Sequence, residues 1–181
     1  MLADDLVDVS SDPLQPDFIS IKKYDFAISF GYRHIISQEC IEILRGNILN
    51  VHISLLPWNR GSDPNIWSWL ENSPKGVSIH WITKNVDAGD IAIQKEVQLH
   101  ESDTLLATYE FLQFEAALLL NKLWNDIGVT KVSPVKQNGQ GTFHRKSDLK
   151  AHEKALTNGY LTRCTELLEY GRENNLWIPS N

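Results

Sequence analysis

The sequence predicts an α/β fold, a mostly parallel open sheet with flanking helices. Three observations carry that expectation. Apolar runs at residues 24–30, 48–53, 77–82 and 91–99 have the length and composition of strands. The first two are joined by a stretch of helical periodicity, and strand–helix–strand order implies parallel neighbours under a right-handed crossover. Residues 103–127 repeat Leu105, Tyr109, Leu112, Ala116, Leu119 and Leu123 at helical spacing, one face to lay on a sheet.

Taken in order, residues 1–16 are acidic, carry two prolines and read as loosely ordered. Residues 18–23 suit a short helical turn. The run 24–30 is strand-like and stops at Gly31. Residues 31–36 are a loop. Ser37 is a suitable N-cap with Glu39 in the first turn, and Cys40, Ile41 and Leu44 form an apolar stripe that Gly46 ends. Residues 48–53 form a strand and 54–62 its loop. Asp63-Pro64 reads as cap and first helical residue for a helix ending near Asn72. A turn at 73–76 leads to the strand 77–82, the loop 84–89 and the strand 91–99. Asp103 is placed to cap the long helix. After Gly128 the character changes: residues 137–141 read as a flexible turn, 143–146 as a charged surface turn and 152–171 as one or two helices.

The bulk properties narrow the function. A chain of 181 residues, 42% of them apolar, suffices for one domain with a sizeable core. A net charge of −6 disfavours nonspecific nucleic-acid binding. Cys40 and Cys164 lie far apart, and no CxxC or clustered Cys/His spacing suggests zinc. No apolar run is long enough to span a bilayer. A reducing, cytoplasmic setting fits these features.

Chemistry concentrates in Asn50-Val-His-Ile-Ser-Leu-Leu-Pro-Trp-Asn-Arg-Gly61. Alternate strand residues share a face, so Asn50 and His52 can converge on one spot. Asn85-Val-Asp-Ala-Gly-Asp90 offers the carboxylate of Asp87 on a turn. An amide donor, an imidazole and a carboxylate are the minimum kit for acyl transfer. Each also has a plainer reading: a strand-edge asparagine, a structural histidine, an Asx-turn. Ser54 lacks the nucleophile-elbow motif. His80 reads as a structural residue of its strand. Arg60 is equally a contact for an anionic substrate or a solvated loop residue.

The ordered pieces Asn-x-His-x-Ser-Leu-Leu-Pro, Arg-Gly, Gly-Val-Ser-Ile-His and Val-Asp-Ala-Gly-Asp-Ile resemble the 10-formyltetrahydrofolate-dependent formyltransferases, including methionyl-tRNA, glycinamide ribonucleotide and amino-sugar N-formyltransferases. The resemblance runs from about residue 25 to 96. Ile53 departs from it, standing where many members have proline. The resemblance implies a formyltransferase-like Rossmann variant with most of the N-terminal half-sheet missing. It implies a division into an N-terminal segment 1–24, a catalytic core 25–130 and a C-terminal loop and helical extension 131–181. It implies 10-formyltetrahydrofolate as donor, held by Arg33, His34, Ile35, Ile36, Asn85 and Val86, and no metal. Asn50 and protonated His52 would stabilise the oxyanion while Asp87 supports the imidazolium and relays the amine proton.

The resemblance leans toward an amino sugar on a nucleotide carrier as acceptor, because the stretch after Pro57 is like that of sugar-modifying members. No long basic linker of the kind tRNA binding favours is visible. A methionyl-tRNA-type enzyme, a 10-formyltetrahydrofolate hydrolase and a non-catalytic folate- or partner-binding module stay open as alternatives. An apolar edge at 24–30 would need cover, and the expectation is either a homodimer through it or a marginally stable, aggregation-prone monomer. No nucleic-acid or membrane partner is expected.

Overall fold

The computed structural model describes residues 7–127 and 131–178. Residues 1–6, Gly128, where the sequence changes character, and residues 179–181 lie outside the described residues. The chain begins its ordered core earlier than the sequence suggests. Helix α1 (Pro16–Lys22) starts at a proline, which suits a first turn whose N–H groups lack partners. Its Ile19 packs with Cys40, Ile41, Leu44 and Ile48 against α2 (Gln38–Ile43). Ile19 lies in the short helical turn expected at 18–23, and Leu14, from the segment expected to be loose, packs against the same cluster. Ser37 caps α2, accepting the Cys40 N–H at 3.2 Å. The Tyr32 hydroxyl accepts from the Leu14 N–H and donates to the Asp12 carbonyl, both at 2.7 Å, and so ties residues 12–14 down.

Strands β1 (Ala27–Phe30), β2 (Ile48–His52), β3 (Arg60–Gly61), β4 (Gly76–Trp81), β5 (Ile91–Glu96) and β6 (Phe143–His144) form two sheets. The larger is an open four-stranded sheet of order β1-β2-β4-β5, and β3 pairs with β6 in the smaller. The α/β class and the open sheet stand, but the expected mostly parallel direction does not. In the four-stranded sheet only β1 and β2 run parallel, and β2–β4 and β4–β5 are antiparallel; β3 and β6 pair in parallel. Helix α2 bridges the parallel pair. The link between β4 and β5 spans residues 82–90, too short for a crossover, which needs a dozen or more. Helix α3 (Pro64–Leu70), between β2 and β4, packs on the C-terminal part of the chain rather than across the sheet.

The period-2 pattern sorts side chains onto two faces. Leu49, Val51, Val77 and Ile79 pack with Leu112, Ala116, Leu119 and Leu123 of α4 (Leu105–Asn121) and its π-helical continuation Lys122–Ile127. Thr104, not Asp103, caps α4, accepting the Ala107 N–H at 3.2 Å. Tyr109 leaves the apolar stripe and stays on the surface. Phe26, just before β1, meets Trp81 and Trp124 edge-on at 5.9 and 5.5 Å, while Phe30 at the other end of the strand is exposed and the strand's edge has no neighbour among the described residues.

A second core joins Ile66, Trp67, Trp69 and Leu70 to Leu105, Ala155, Cys164 and Leu167. The last two lie on α5 (Cys164–Glu173). Gly171 lets α5 approach so closely that a Cβ there would run into the Leu70 carbonyl. Residues 131–178 thus complete the core around α3. Short 3₁₀ segments, Asp148–Ala155 and Gly159–Leu161, stand where the sequence suggested part of a longer helix. No helix among the described residues is long and apolar enough to cross a membrane.

Candidate active site

The polar face of the β2–β4 pair carries the site. Antiparallel register sets Asn50 opposite His80 and His52 opposite Ser78. Two alternating strands thereby bring an amide and two imidazoles into one patch. Asp87, on the loop after β4, reaches back over this face from a left-handed backbone (φ 48°), a conformation Asp tolerates better than most residues. Its Oδ1 accepts from Asn50 Nδ2 at 3.0 Å and lies 3.2 Å from His80 Nε2. Its Oδ2 accepts the Gly61 N–H at 2.9 Å and lies 3.7 Å from His52 Nδ1. The three residues singled out by sequence therefore meet. They meet over the sheet face rather than beyond a row of strand carboxyl ends, because antiparallel strands share no such end.

The electrostatics follow from this packing. Burial alone would raise the Asp87 carboxyl, but the charge of His52, the hydrogen bond and charge of His80 and the Gly61 amide outweigh it. They hold the acid well below the usual carboxylate range. His80 is fully enclosed and gives its Nδ1–H to the Trp81 carbonyl at 3.0 Å. Its Nε2 also stands 3.2 Å from Asn50 Nδ2. With Nε2 unprotonated, Asn50 gives one hydrogen to His80 and one to Asp87. With Nε2 protonated, His80 itself donates to Asp87 and one Asn50 N–H is released. Sequence reading placed His80 as structural; its signal was the alternation Ser78-Ile-His80, which sets it on the polar face.

Two loops enclose the patch. The first runs from a cis Leu56–Pro57 peptide to β3, where the Asn59 carbonyl accepts His52 Nε2–H at 2.9 Å. The second is the 137–144 stretch. Gln137 donates from Nε2 to the carbonyls of Asp87 and Gly89, both at 2.8 Å, and clamps the Asp87 loop. Residues 137–141 are therefore no free turn, and Phe143–His144 is strand β6 rather than a charged surface turn. Arg60 spends Nε and Nη2 on the carbonyls of Thr142 and Gln140, at 3.4 and 3.3 Å.

The expected donor-binding residues separate. Arg33, His34, Ile35, Asn85 and Val86 are exposed on the loops after β1 and β4. Ile35 is 89% exposed and Val86 48%. Ile36 is half-buried and packs against the core of α1 and α2. Among the described residues no group of three or more His, Cys, Asp or Glu side chains could hold a metal ion.

An open α/β sheet with an amide, imidazoles and an ionised carboxylate clustered on one face is the architecture of a group-transfer enzyme acting at a carbonyl. More narrowly, this chain belongs to the formyl transferase family, whose model matches residues 14–123. It is 33% identical over 133 residues to the bifunctional polymyxin resistance protein ArnA of Wigglesworthia glossinidia brevipalpis, a match covering 72% of this chain and 20% of that one. It is 31% identical over 123 residues to methionyl-tRNA formyltransferase of Clostridium botulinum, covering 67% and 40%. The chain thus spans well under half the length of these curated relatives.

Among solved structures it resembles the formyltransferase PseJ from Anoxybacillus kamchatkensis, with a TM-score of 0.83 and 39% identity over 90% of this chain and 86% of that one. That structure holds UDP-4,6-dideoxy-4-formamido-L-AltNAc and tetrahydrofolate. A sugar N-formyltransferase from Shewanella follows, with a TM-score of 0.67 and 30% identity over 75% and 54%.

Proposed function

We propose that this chain transfers a formyl group from 10-formyltetrahydrofolate to the amine of a nucleotide-linked amino sugar, a UDP-4-amino-4,6-dideoxy sugar being the acceptor class. The observation that carries the proposal is the Asn50–His52–Asp87 cluster in a chain that aligns with 86% of PseJ at 39% identity. Bare apolar side chains on the segments flanking it, Ile35, Val86 and Phe30, suit the apolar body of a pterin, with Arg33, His34 and Asn85 beside them.

When bound, 10-formyltetrahydrofolate supplies an activated formyl carbon. Asn50 donates an N–H to the formyl oxygen as negative charge builds there, a contribution of about 2.7–4 kcal/mol. His80 protonated toward Asp87 releases that N–H. Asp87 is ionised at neutral pH, and its charge favours a proton on His52, so the proton that the attacking amine loses would pass to His52 and on to the folate nitrogen as that nitrogen's bond to the formyl carbon breaks. His52 holds its Nε2–H on Asn59, so Nδ1 is the nitrogen left to hold or return a proton and to offset charge on the oxygen. The buried free thiols Cys40 and Cys164 fit a reducing compartment, and the cytoplasm is the location we infer. The open edge of β1 is the surface on which a second copy would pair; light scattering over a concentration series tests it.

The test is direct. Purified protein is mixed with 10-formyltetrahydrofolate and a UDP-4-amino-4,6-dideoxy sugar, and mass spectrometry follows the sugar. A formyl adduct that vanishes in His52→Ala supports the proposal. Release of tetrahydrofolate without an amine would show a hydrolase instead. Folate binding with no turnover on any amino sugar, dTDP-linked ones included, would overturn the catalytic reading.

A further inference from the structure

His52 is held by a backbone carbonyl, and that carbonyl is itself held by a buried side-chain network. The peptide belongs to Asn59, a left-handed residue (φ 54°) whose side chain is wholly enclosed, at 0% exposure. Asn59 Nδ2 donates to Glu71 Oε2 at 2.9 Å, and its Oδ1 accepts from Ser73 Oγ at 2.7 Å. Its backbone N–H donates to Thr142 Oγ1 at 2.9 Å, and that hydroxyl donates to the same Glu71 oxygen at 2.8 Å. Glu71, at 7% exposure, thus gathers the ends of two loops. Its other oxygen lies 2.9 Å from His144 Nε2, out of line for an N–H donor. The His144 ring is stacked on Trp67 at 3.8 Å and cannot follow a moving carboxylate.

A buried carboxylate is costly unless partners satisfy it. Here Oε2 accepts from both Asn59 and Thr142, and the result is a fixed direction for one carbonyl. The same short segment serves both members of the proton-handling pair. Asn59 fixes His52 through its C=O, and Gly61, two residues on, fixes Asp87 through its N–H. Side-chain orientation within about half an ångström is what such a site needs, and the surrounding shell must supply it.

We infer that Glu71 and Asn59 are positioning residues: they lock His52 as the Nε2–H tautomer and thereby present Nδ1 to Asp87. A histidine whose Nε2 faces a carbonyl must carry its proton there, so Nδ1 is the only ring nitrogen free to exchange one. Freed from Asn59, the ring has no fixed tautomer. The link to turnover rests on the formyl-transfer reading; the tautomer does not.

The experiment uses the full chain labelled with ¹⁵N-histidine, without ligand. Long-range ¹H–¹⁵N spectra read the tautomer, and His52 is assigned with His52→Gln. Wild type shows protonated Nε2 and bare Nδ1 in the neutral ring. Glu71→Gln, which keeps an oxygen for Asn59, preserves that pattern. Glu71→Leu and Asn59→Gly, the latter free to keep a positive φ, show mixed tautomers. In turnover the same two lose roughly 10- to 100-fold in kcat with KM within about twofold, and their kcat–pH profile shifts. Should Glu71→Leu not fold, Asn59→Gly and Thr142→Val decide by the same spectrum. A fixed Nε2–H tautomer in every variant overturns the inference, as does an Nδ1–H tautomer in wild type. Failure of wild type to transfer formyl overturns the proposed function but leaves the tautomer result standing.

Discussion

Asn50 Nδ2 lies 3.2 Å from His80 Nε2 although thirty positions separate them, and both atoms reach the same oxygen of Asp87. The antiparallel β2–β4 register makes this contact. Parallel strands in the same order would face Asn50 with a different residue of β4.

Removing the Asn50 amide takes away the donor to the formyl oxygen. Asn50→Ala is expected to lower kcat by about 10²–10³ with little effect on KM. Steady-state kinetics check this. Wild-type kcat in Asn50→Ala would remove Asn50 from the mechanism.

The depressed Asp87 carboxyl fixes the sign of a pH effect on stability. In the unfolded chain Asp87 titrates near pH 4, and in the folded chain lower. Its contribution is therefore fully present above about pH 4 and is lost as the pH falls further. Urea unfolding of wild type and Asp87→Asn should give a gap that closes as the pH falls below about 4. A gap that widens in acid would contradict the ion-pair account.

Lys75 gives a trend of the same sign at alkaline pH. Burial pushes its ammonium down to about 8 from an ordinary 10.5, with Nζ donating to the Ser68 and Ser73 carbonyls at 3.1 and 2.9 Å. The folded state releases this proton first, so wild type gains stability relative to Lys75→Met as pH rises from about 8 toward 10.5. Thermal melts of the two proteins across that range read the difference. Burial also pushes the Cys164 thiol up to about 11, and Lys75 and Cys164 act on each other, so at the alkaline end the melts read the pair.

The two neighbouring isoleucines should behave differently. Ile35→Asp changes an exposed residue and should weaken binding of a folate analogue at least about tenfold with an unchanged melting temperature, since a buried apolar side chain contributes about 1.5–3 kcal/mol. Ile36→Asp puts a carboxyl against the α1–α2 core and should lower stability by about 1–3 kcal/mol. Calorimetric titration beside thermal melts separates them. Equal folate affinity in Ile35→Asp and wild type would move the pterin elsewhere.

The Asp87 loop is held by fit as well as by charge. A Cβ on Gly89 would run into the Trp81 carbonyl, and Gln137 bridges the Asp87 and Gly89 carbonyls. Gly89→Ala should cost about 1–3 kcal/mol and, by shifting Asp87, lower kcat more than Gln137→Ala does. Unaltered melting and turnover in Gly89→Ala would show that the loop relaxes freely.

Local chemistry was legible in the sequence. The i, i+2 spacing of Asn50 and His52 on a strand, the Ser37 cap and the Pro64 helix start depend on residues within one turn or one pleat of each other. The gathering of Asn50, His52 and Asp87 was expected from motif order.

The rest was decided by tertiary packing. The direction of β4 and β5 depends on where α3 finds its partner, and α3 buries its tryptophans against α5, about a hundred residues along the chain. The fixing of His52 depends on Asn59, Glu71 and Thr142 meeting, and no period links position 142 to position 59. Gln137 reads as a turn residue until the Asp87 loop stands beneath it. Backbone propensity acts over a few residues, so it sets elements and faces. Which buried donor meets which acceptor is settled only when the faces close on each other and every polar group left inside must find a partner.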